Sequence, residues 1–334
     1  MPKRMGFFYA HLILIQTYTK DIPMIKGLAI TPPILGRISI GKVVEKNGKR
    51  LPEKDDQFTI TSQIQNKDGW IKHPLDEQLR SKAPNQNQKL RTIPVRMIFN
   101  DPELNLRAEY SLFDRQTGRP VCVGNGETCQ RMTNQGVEQH PCPSPDLCPL
   151  AQGGNCKPYG RLHVNLAESD ELGTFIFRTT GFNSIRTLAA RLSYYYAASN
   201  GLLSCLPLQL ILRGKSTTQS YRTPVYYVDL TLREGLSLQE AIQTAKEIDQ
   251  YSKAAGFNQS ALDQMARQGY ANARFEMNIE EGLDLVEEFY TDELTESEQV
   301  QADSKAKASP QFHQGQGFVQ EIQQGLQQHV RAVN

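Results

Sequence analysis

Five of the six cysteines in this 334-residue chain fall between Val121 and Lys157: Cys122, Cys129, Cys142, Cys148 and Cys156, with Cys205 alone downstream. Their segment, VCVGNGETCQRMTNQGVEQHPCPSPDLCPLAQGGNCK, carries Gly124, Gly126, Gly153 and Gly154, and Pro141, Pro143, Pro145 and Pro149. A Gly- and Pro-rich stretch of this kind buries little apolar surface, so its shape has to come from elsewhere. Four thiolates closing a tetrahedral zinc site would supply the folding energy. The spacing C-x6-C-x12-C-x5-C-x7-C has no C-x2-C knuckle, so common finger and ribbon patterns do not match. Zinc is the expected ion; an iron–sulfur cluster, disulfides and idle thiols stand as alternatives. The expected ligands are Cys129, Cys142, Cys148 and Cys156. Cys122, at the end of a strand, is a fifth candidate, and His140 or His163 is able to replace a thiolate. A site closed by four thiolates leaves no position for water, so a structural role is expected rather than hydrolysis.

The rest of the body reads as strands. ISIGKVV, QFTITSQI, RTIPVRMIF, LNLRAEYSLF, RLHVNLA, GTFIFRTT, LPLQLILRGK and TPVYYVDLTL alternate polar and apolar side chains or flank turn signals. One helix stands among them, NSIRTLAARLSYYYAAS, with Ile185, Leu188, Ala189, Leu192, Tyr195 and Tyr196 at helical spacing and Asn183 or Ser184 placed to cap it. After Gly235 the composition turns helical: SLQE at 237–240 is a capping box, a second helix is expected over 260–273, and a third, acidic one from Ile279. The expected class is α+β: a mostly antiparallel β body with one central helix, a Cys-rich metal-binding loop and a helical acidic C-terminal region. The expected divisions are an extension at 1–23, the body at 24–235 with its metal loop at 121–157, a helical region at 236–290, and a flexible tail at 291–334 ending in an amphipathic helix around Phe318–Val330.

Residues 24–235 carry 27 lysines and arginines against 19 carboxylates, a net of +8; residues 236–334 carry 7 against 16, a net of −9. That asymmetry points to a polyanion partner for the body. Arg178, Thr180, Asn183, Arg186 and Arg191 gather around the expected N-terminus of the central helix, where free amides attract anions, and Arg213 and Lys215 are expected nearby. These residues form the expected nucleic-acid surface. No stretch reaches the apolar length of a membrane span, and the apolar run Phe7–Ile15 has no cleavage site after it, so a cytoplasmic protein without a membrane partner is expected.

Other motifs are incomplete. RGKST at 213–217 lacks the first P-loop glycine, that position being Gln209, and leads to a strand. GNGETC precedes no helix. No nucleophile elbow or paired-carboxylate motif sits on a credible scaffold.

Together, IPVRMIFNDPELNLRAEYSLFD, the cysteine segment, FRTTGFNSIRTL and LPLQLILRGKST resemble a group of proteins encoded on integrative elements and loosely labelled hydrolase or metal-binding. More distantly, they are similar to the recombination directionality factors of actinophages that use large serine integrases. The resemblance covers roughly residues 25–232. It implies that the cysteines are metal ligands and that the partner is a site-specific integrase, bound by protein contact to favour excision over integration. The longer C-terminal region departs from the phage type. The resulting expectation is a non-catalytic zinc-binding accessory factor in DNA recombination or mobile-element transfer, binding an integrase, DNA or both. The alternatives are a metal-dependent nuclease or hydrolase, and a single-stranded DNA binder stacking bases on Trp70, Tyr194 and Tyr195.

Overall fold

Residues whose apolar side chains recur at every second position become the strands of one large sheet. The structure is a computed structural model that describes residues 33–46, 49–66, 69–82, 89–167, 173–216, 218, 222, 224–272, 286, 289 and 290. The chain divides into two units, residues 1–289 and 290–334, and the sheet with its helices belongs to the first. The expected extension at 1–23 and the terminal amphipathic helix lie outside the described residues, as does the acidic helix expected from Ile279 except at Val286 and Phe289, which are helical, and Tyr290.

In chain order the elements are β1 (Ile34–Lys46), β2 (Lys49–Asn66), β3 (Gly69–Lys72), α1 (Pro74–Ser81), β4 (Thr92–Met97), α2 (Pro102–Asn105), β5 (Leu106–Phe113), β6 (Pro120–Gly124), β7 (Thr128–Thr133) and β8 (Gly136–Pro141). Next come β9 (Cys156–Leu166), β10 (Thr174–Thr179), α3 (Phe182–Ala198), β11 (Leu208–Lys215), β12 (Val225–Leu232), α4 (Leu238–Ala254) and α5 (Gln259–Asn272). The twelve strands form a mixed sheet whose pairings are antiparallel except for β1 with β10. Among the described residues α1–α5 accompany this sheet, and the protein is α+β.

The sheet forks at β9. One edge of β9 pairs with β10, which leads through β1 and β2 to β3. The other edge pairs first with β5 and then with β4. From β5 one branch runs through β6, β7 and β8; from β4 the other runs through β11 to β12. Register fixes which side chains share a face, because neighbours along a strand point to opposite sides. Ile60, Ile38, Phe177, Leu162 and Leu106 stand in one row across five strands, all buried. Leu188 and Leu192 of α3 and Ala241 and Ala245 of α4 join the same core. Each large side chain so buried contributes about 1.5–3 kcal/mol.

Several local expectations are altered. The segment at 121–157 is not an irregular loop: β6, β7 and β8 run through it as a meander, followed by a 3-10 turn at Pro149–Gly154. Its strands escaped notice because β7 and β8 are half-exposed and carry no apolar face. The body holds α1 and α2 beside α3; α1 is capped by His73, whose Nδ1 accepts from Leu75 N, rather than by a hydroxyl or Asx residue. On α3, Ala189 and Tyr196 are exposed, and the cap position falls to Gly181 without a side-chain bond. Ser184 is drawn instead to β12, where its Oγ accepts from Val228 N at 3.1 Å. The capping box at Ser237 and Glu240 starts α4 as the spacing indicates.

Candidate functional site: a thiol cluster at the root of one branch

The branch through β5, β6, β7 and β8 brings the cysteines together. Cys156 of β9 and Cys122 of β6 both stand opposite Leu112 of β5, and Cys122 stands opposite Arg131 of β7. Two residues along, Gly124, Cys129 and His140 form the parallel row. By register, Cys122, Cys129 and Cys156 therefore share one face, and it continues the apolar face of the main sheet. Cys142 comes just after β8, its amide bonded to Glu127 O at 2.8 Å. Cys148 opens the 3-10 turn at Pro149.

Gly124 lets these sulfurs approach. A Cβ at that position would stand 2.7 Å from Cys129 Cβ and 2.8 Å from Cys142 Sγ, so glycine leaves the space that the two cysteines occupy. Cys129 is buried, and the other four thiols of the segment are half-buried. Burial first, then the Cys122, Cys142, Cys148 and Cys129 thiols, push the Cys156 thiol up to about 12. Burial pushes Cys122 up to about 11, against the lowering effect of a hydrogen bond from Arg131. Arg131 also places Nη2 4.0 Å from Cys129 Sγ, so one guanidinium touches two thiols. Such a set resists ionisation on its own and favours a cation that would accept its charge. Among the described residues, no three His, Cys, Asp or Glu side chains stand in metal-ligand geometry.

The histidines separate. His140 lies beside Cys129 across β7 and β8 and pairs with Glu138 at 3.2 Å. His163 is on the opposite face of the sheet, fully buried; burial, then the Arg161 and Arg107 charges, push it down to about 3.

The expected nucleic-acid residues are dispersed rather than gathered at one helix end. Arg178 of β10 stands opposite Arg161, which stands opposite Arg107 of β5, on the sheet face away from the main core. Glu109 accepts from Arg161 at 2.7 Å, and the Arg107 guanidinium lies 4.6 Å from the Tyr270 ring centroid. Thr180 links β10 to α3, while Asn183 and Arg186 are exposed on the first turns of α3. Arg191 and Arg213 converge on buried Asp229, at 3.0 and 2.6 Å. Lys215 ends β11 in an exposed position. Of the aromatics, Tyr195 is buried, Tyr194 is exposed, and Trp70 lies under the Arg37 guanidinium at 4.2 Å. Sequence reasoning had no means of finding the Asp229 pairs, which join residues 38 and 16 positions apart. Nor did it single out Arg131, which differs from other surface arginines only by its register opposite Cys122.

Among the described residues, no helix is long and apolar enough to cross a membrane. Comparison with known families matches residues 35–233, the span from β1 through β12, to a model described as Gp3-like, recombination directionality factor-like. No curated protein and no solved structure matches the chain.

Proposed function

The chain belongs to the Gp3-like, recombination directionality factor-like family, and on that premise we propose that it is a non-catalytic, zinc-binding accessory factor that contacts a site-specific integrase and biases it toward excision. The observation that carries the reading is the extent of the family match, which takes in the whole sheet and the cysteine segment. The thiol cluster supports the metal. Cys129, Cys142, Cys148 and Cys156 would hold the zinc, with Cys122 as a fifth thiol beside Arg131. The donor set suits a borderline-soft dication, and Gly124 provides the room the sulfurs need. The ion would supply folding energy to a branch whose strands β7 and β8 have little core of their own. Arg131 would offset part of the negative charge that four thiolates and one dication carry.

The test joins metal content to recombination. Full-length protein, purified without added metal, is analysed for zinc and then added to the integrase encoded by the same element, with substrates for integration and excision. Zinc near one per chain and a shift of product toward excision support the reading. Cys142→Ser and Cys148→Ser should lose the zinc and the shift together, whereas Cys205→Ser should keep both. An integrase whose products are unchanged by the protein, with no co-purification of the two, refutes the accessory role; iron in place of zinc refutes the metal assignment alone.

A further inference from the structure

Asp229 gathers two arginines that the sequence keeps apart. It lies in β12, which pairs with β11 on one side and packs against α3. Arg191 comes from α3 and Arg213 from β11. Arg191 Nε donates to Asp229 Oδ1 at 3.0 Å, and Arg213 Nε donates to Oδ2 at 2.6 Å. Leu230 N adds a third bond, to Oδ1 at 2.9 Å. Burial works to raise the pKa of this carboxyl, but the bonds from Arg191 and Arg213 outweigh it and hold the group below the usual carboxylate range. The carboxylate is therefore charged, and both of its oxygens are fixed.

Each arginine is held through Nε. Among the described residues, no acceptor takes a hydrogen bond from the Nη groups of either one. The arginine side chains are 47% and 44% exposed, against 2% for Asp229, so the set is anchored inside and open outside. An arginine ordinarily loses rotamer freedom when it grips a ligand; here the Nε bonds fix both forks beforehand. Both bonds end on one carboxylate, so two like-charged guanidiniums are brought side by side with a single negative charge between them. Two cations and one anion leave the set at +1, which one phosphodiester at −1 would neutralise. Lys215 extends the set: it is exposed, and by alternation along β11 it shares a face with Arg213, about 6.8 Å further on.

We infer that Arg191 and Arg213, aligned by Asp229, clamp one phosphate of the DNA backbone, with Lys215 meeting a neighbouring phosphate. The guanidinium fork matches phosphate oxygens in geometry and charge. A clamp this open leaves a small free ion largely hydrated, whereas a duplex presents a second phosphate to Lys215 at the same time. Asp229 is a positioning residue and touches no DNA. The contact is sequence-tolerant, because phosphate contacts fix position and carry little base information. It is separate from the thiol cluster and from the integrase contact proposed above, so its failure leaves that reading standing.

The experiment is a titration of the full-length chain against a short labelled duplex of arbitrary sequence, at about 50 and about 200 mM salt. The parent should bind at the lower salt and weaken about tenfold at the higher, as two phosphate contacts require. Arg191→Lys/Arg213→Lys keeps the charge and removes the forks; it should bind about tenfold more weakly at low salt, the loss of about one charge-assisted hydrogen bond. Arg191→Gln/Arg213→Gln/Asp229→Asn removes the clamp without leaving a lone carboxylate buried. Its log affinity against log salt should be shallower by about 1, and Lys215→Gln should flatten the slope by about 1 independently. Arg119→Gln/Lys246→Gln, on other parts of the body, should leave affinity and slope as in the parent. Thermal melting and zinc content check that each variant is folded. The clamp is refuted if the parent does not bind the duplex, or if the lysine variant keeps the parent's affinity, which would make the contact a diffuse basic surface. Displacement of the duplex by inorganic phosphate at constant ionic strength would make it a free-anion site and refute the DNA assignment. Variants that keep duplex affinity and lose only integrase binding would make it a protein contact and refute it equally.

Discussion

His163 makes the acid stability of the fold a measurable consequence of one buried ring. It stands in β9 on the face that also carries Arg107, Arg161 and Tyr270, and its Nδ1 has no hydrogen-bond partner among the described residues. Burial, then the Arg161 and Arg107 charges, take its pKa from 6.5 down to about 3. The folded state therefore keeps the ring neutral while the unfolded chain protonates it below pH 6.5. The unfolded state binds the extra proton, so stability falls as pH falls from 6.5 toward 3. Each pH unit in that window costs about 1.4 kcal/mol, so a drop from neutral to about pH 4.5 costs about 2.7 kcal/mol from this residue. The assay is urea denaturation of the full chain at a series of pH values, for the parent and for His163→Leu. The leucine variant forfeits no hydrogen bond through Nδ1, and it should lose the histidine's share of the acid slope while carboxylates contribute equally to both. The two ΔG curves should converge toward low pH, with the variant gaining about 2–3 kcal/mol on the parent between neutral and about pH 4.5. Parallel curves would mean that the ring accepts its proton in the folded state, which would refute the burial argument.

Gly124→Ala should lower zinc retention and cost about 1–3 kcal/mol by overpacking against Cys129 and Cys142, read by metal analysis and thermal melting. Leu188→Ala, at the centre of the core face of α3, should destabilise by about 2–5 kcal/mol in denaturant titration. Ser184→Ala should cost about 1–3 kcal/mol by leaving the Val228 amide without its acceptor, and should raise amide exchange at Val228. Arg131→Ala should weaken zinc retention under chelator challenge, whereas Arg119→Ala should not.

Alternation made much of the sheet legible. In β9, Leu162, Val164 and Leu166 face the core and Arg161, His163 and Asn165 do not, a pattern the sequence states openly. The capping box of α4 is equally explicit because both its bonds are local. What was hidden is non-local. The apolar stripe of α1 amounts to Leu75 and Leu79, too short to signal a helix. β7 and β8 exist through pairing with β6 rather than through any face of their own. Clustering of the cysteines in sequence announced a shared task, but the common face of Cys122, Cys129 and Cys156 comes from strand register, and the placement of Cys142 from a backbone bond to Glu127. The arginines near α3 read as one patch because the sequence does not reveal that two of them answer to Asp229.

β12 is the last strand of its branch, and its outer rim would ordinarily be an open template for another chain. Two outward amides are already taken: Val228 donates to the Ser184 hydroxyl at 3.1 Å and Leu230 to the Asp229 side chain at 2.9 Å. One of the two acceptors, Ser184, comes from α3, so the helix caps part of the rim with a side chain instead of backbone. A strand arriving there finds these two donors already engaged, which disfavours growth of the sheet from molecule to molecule at this end. The integrase contact proposed above would then use side-chain surfaces or the rims at β3 and β8. The rim at β12 can be opened only by a change that pulls α3 away, which would also uncover Leu188 and Leu192 and so is held shut by the core itself.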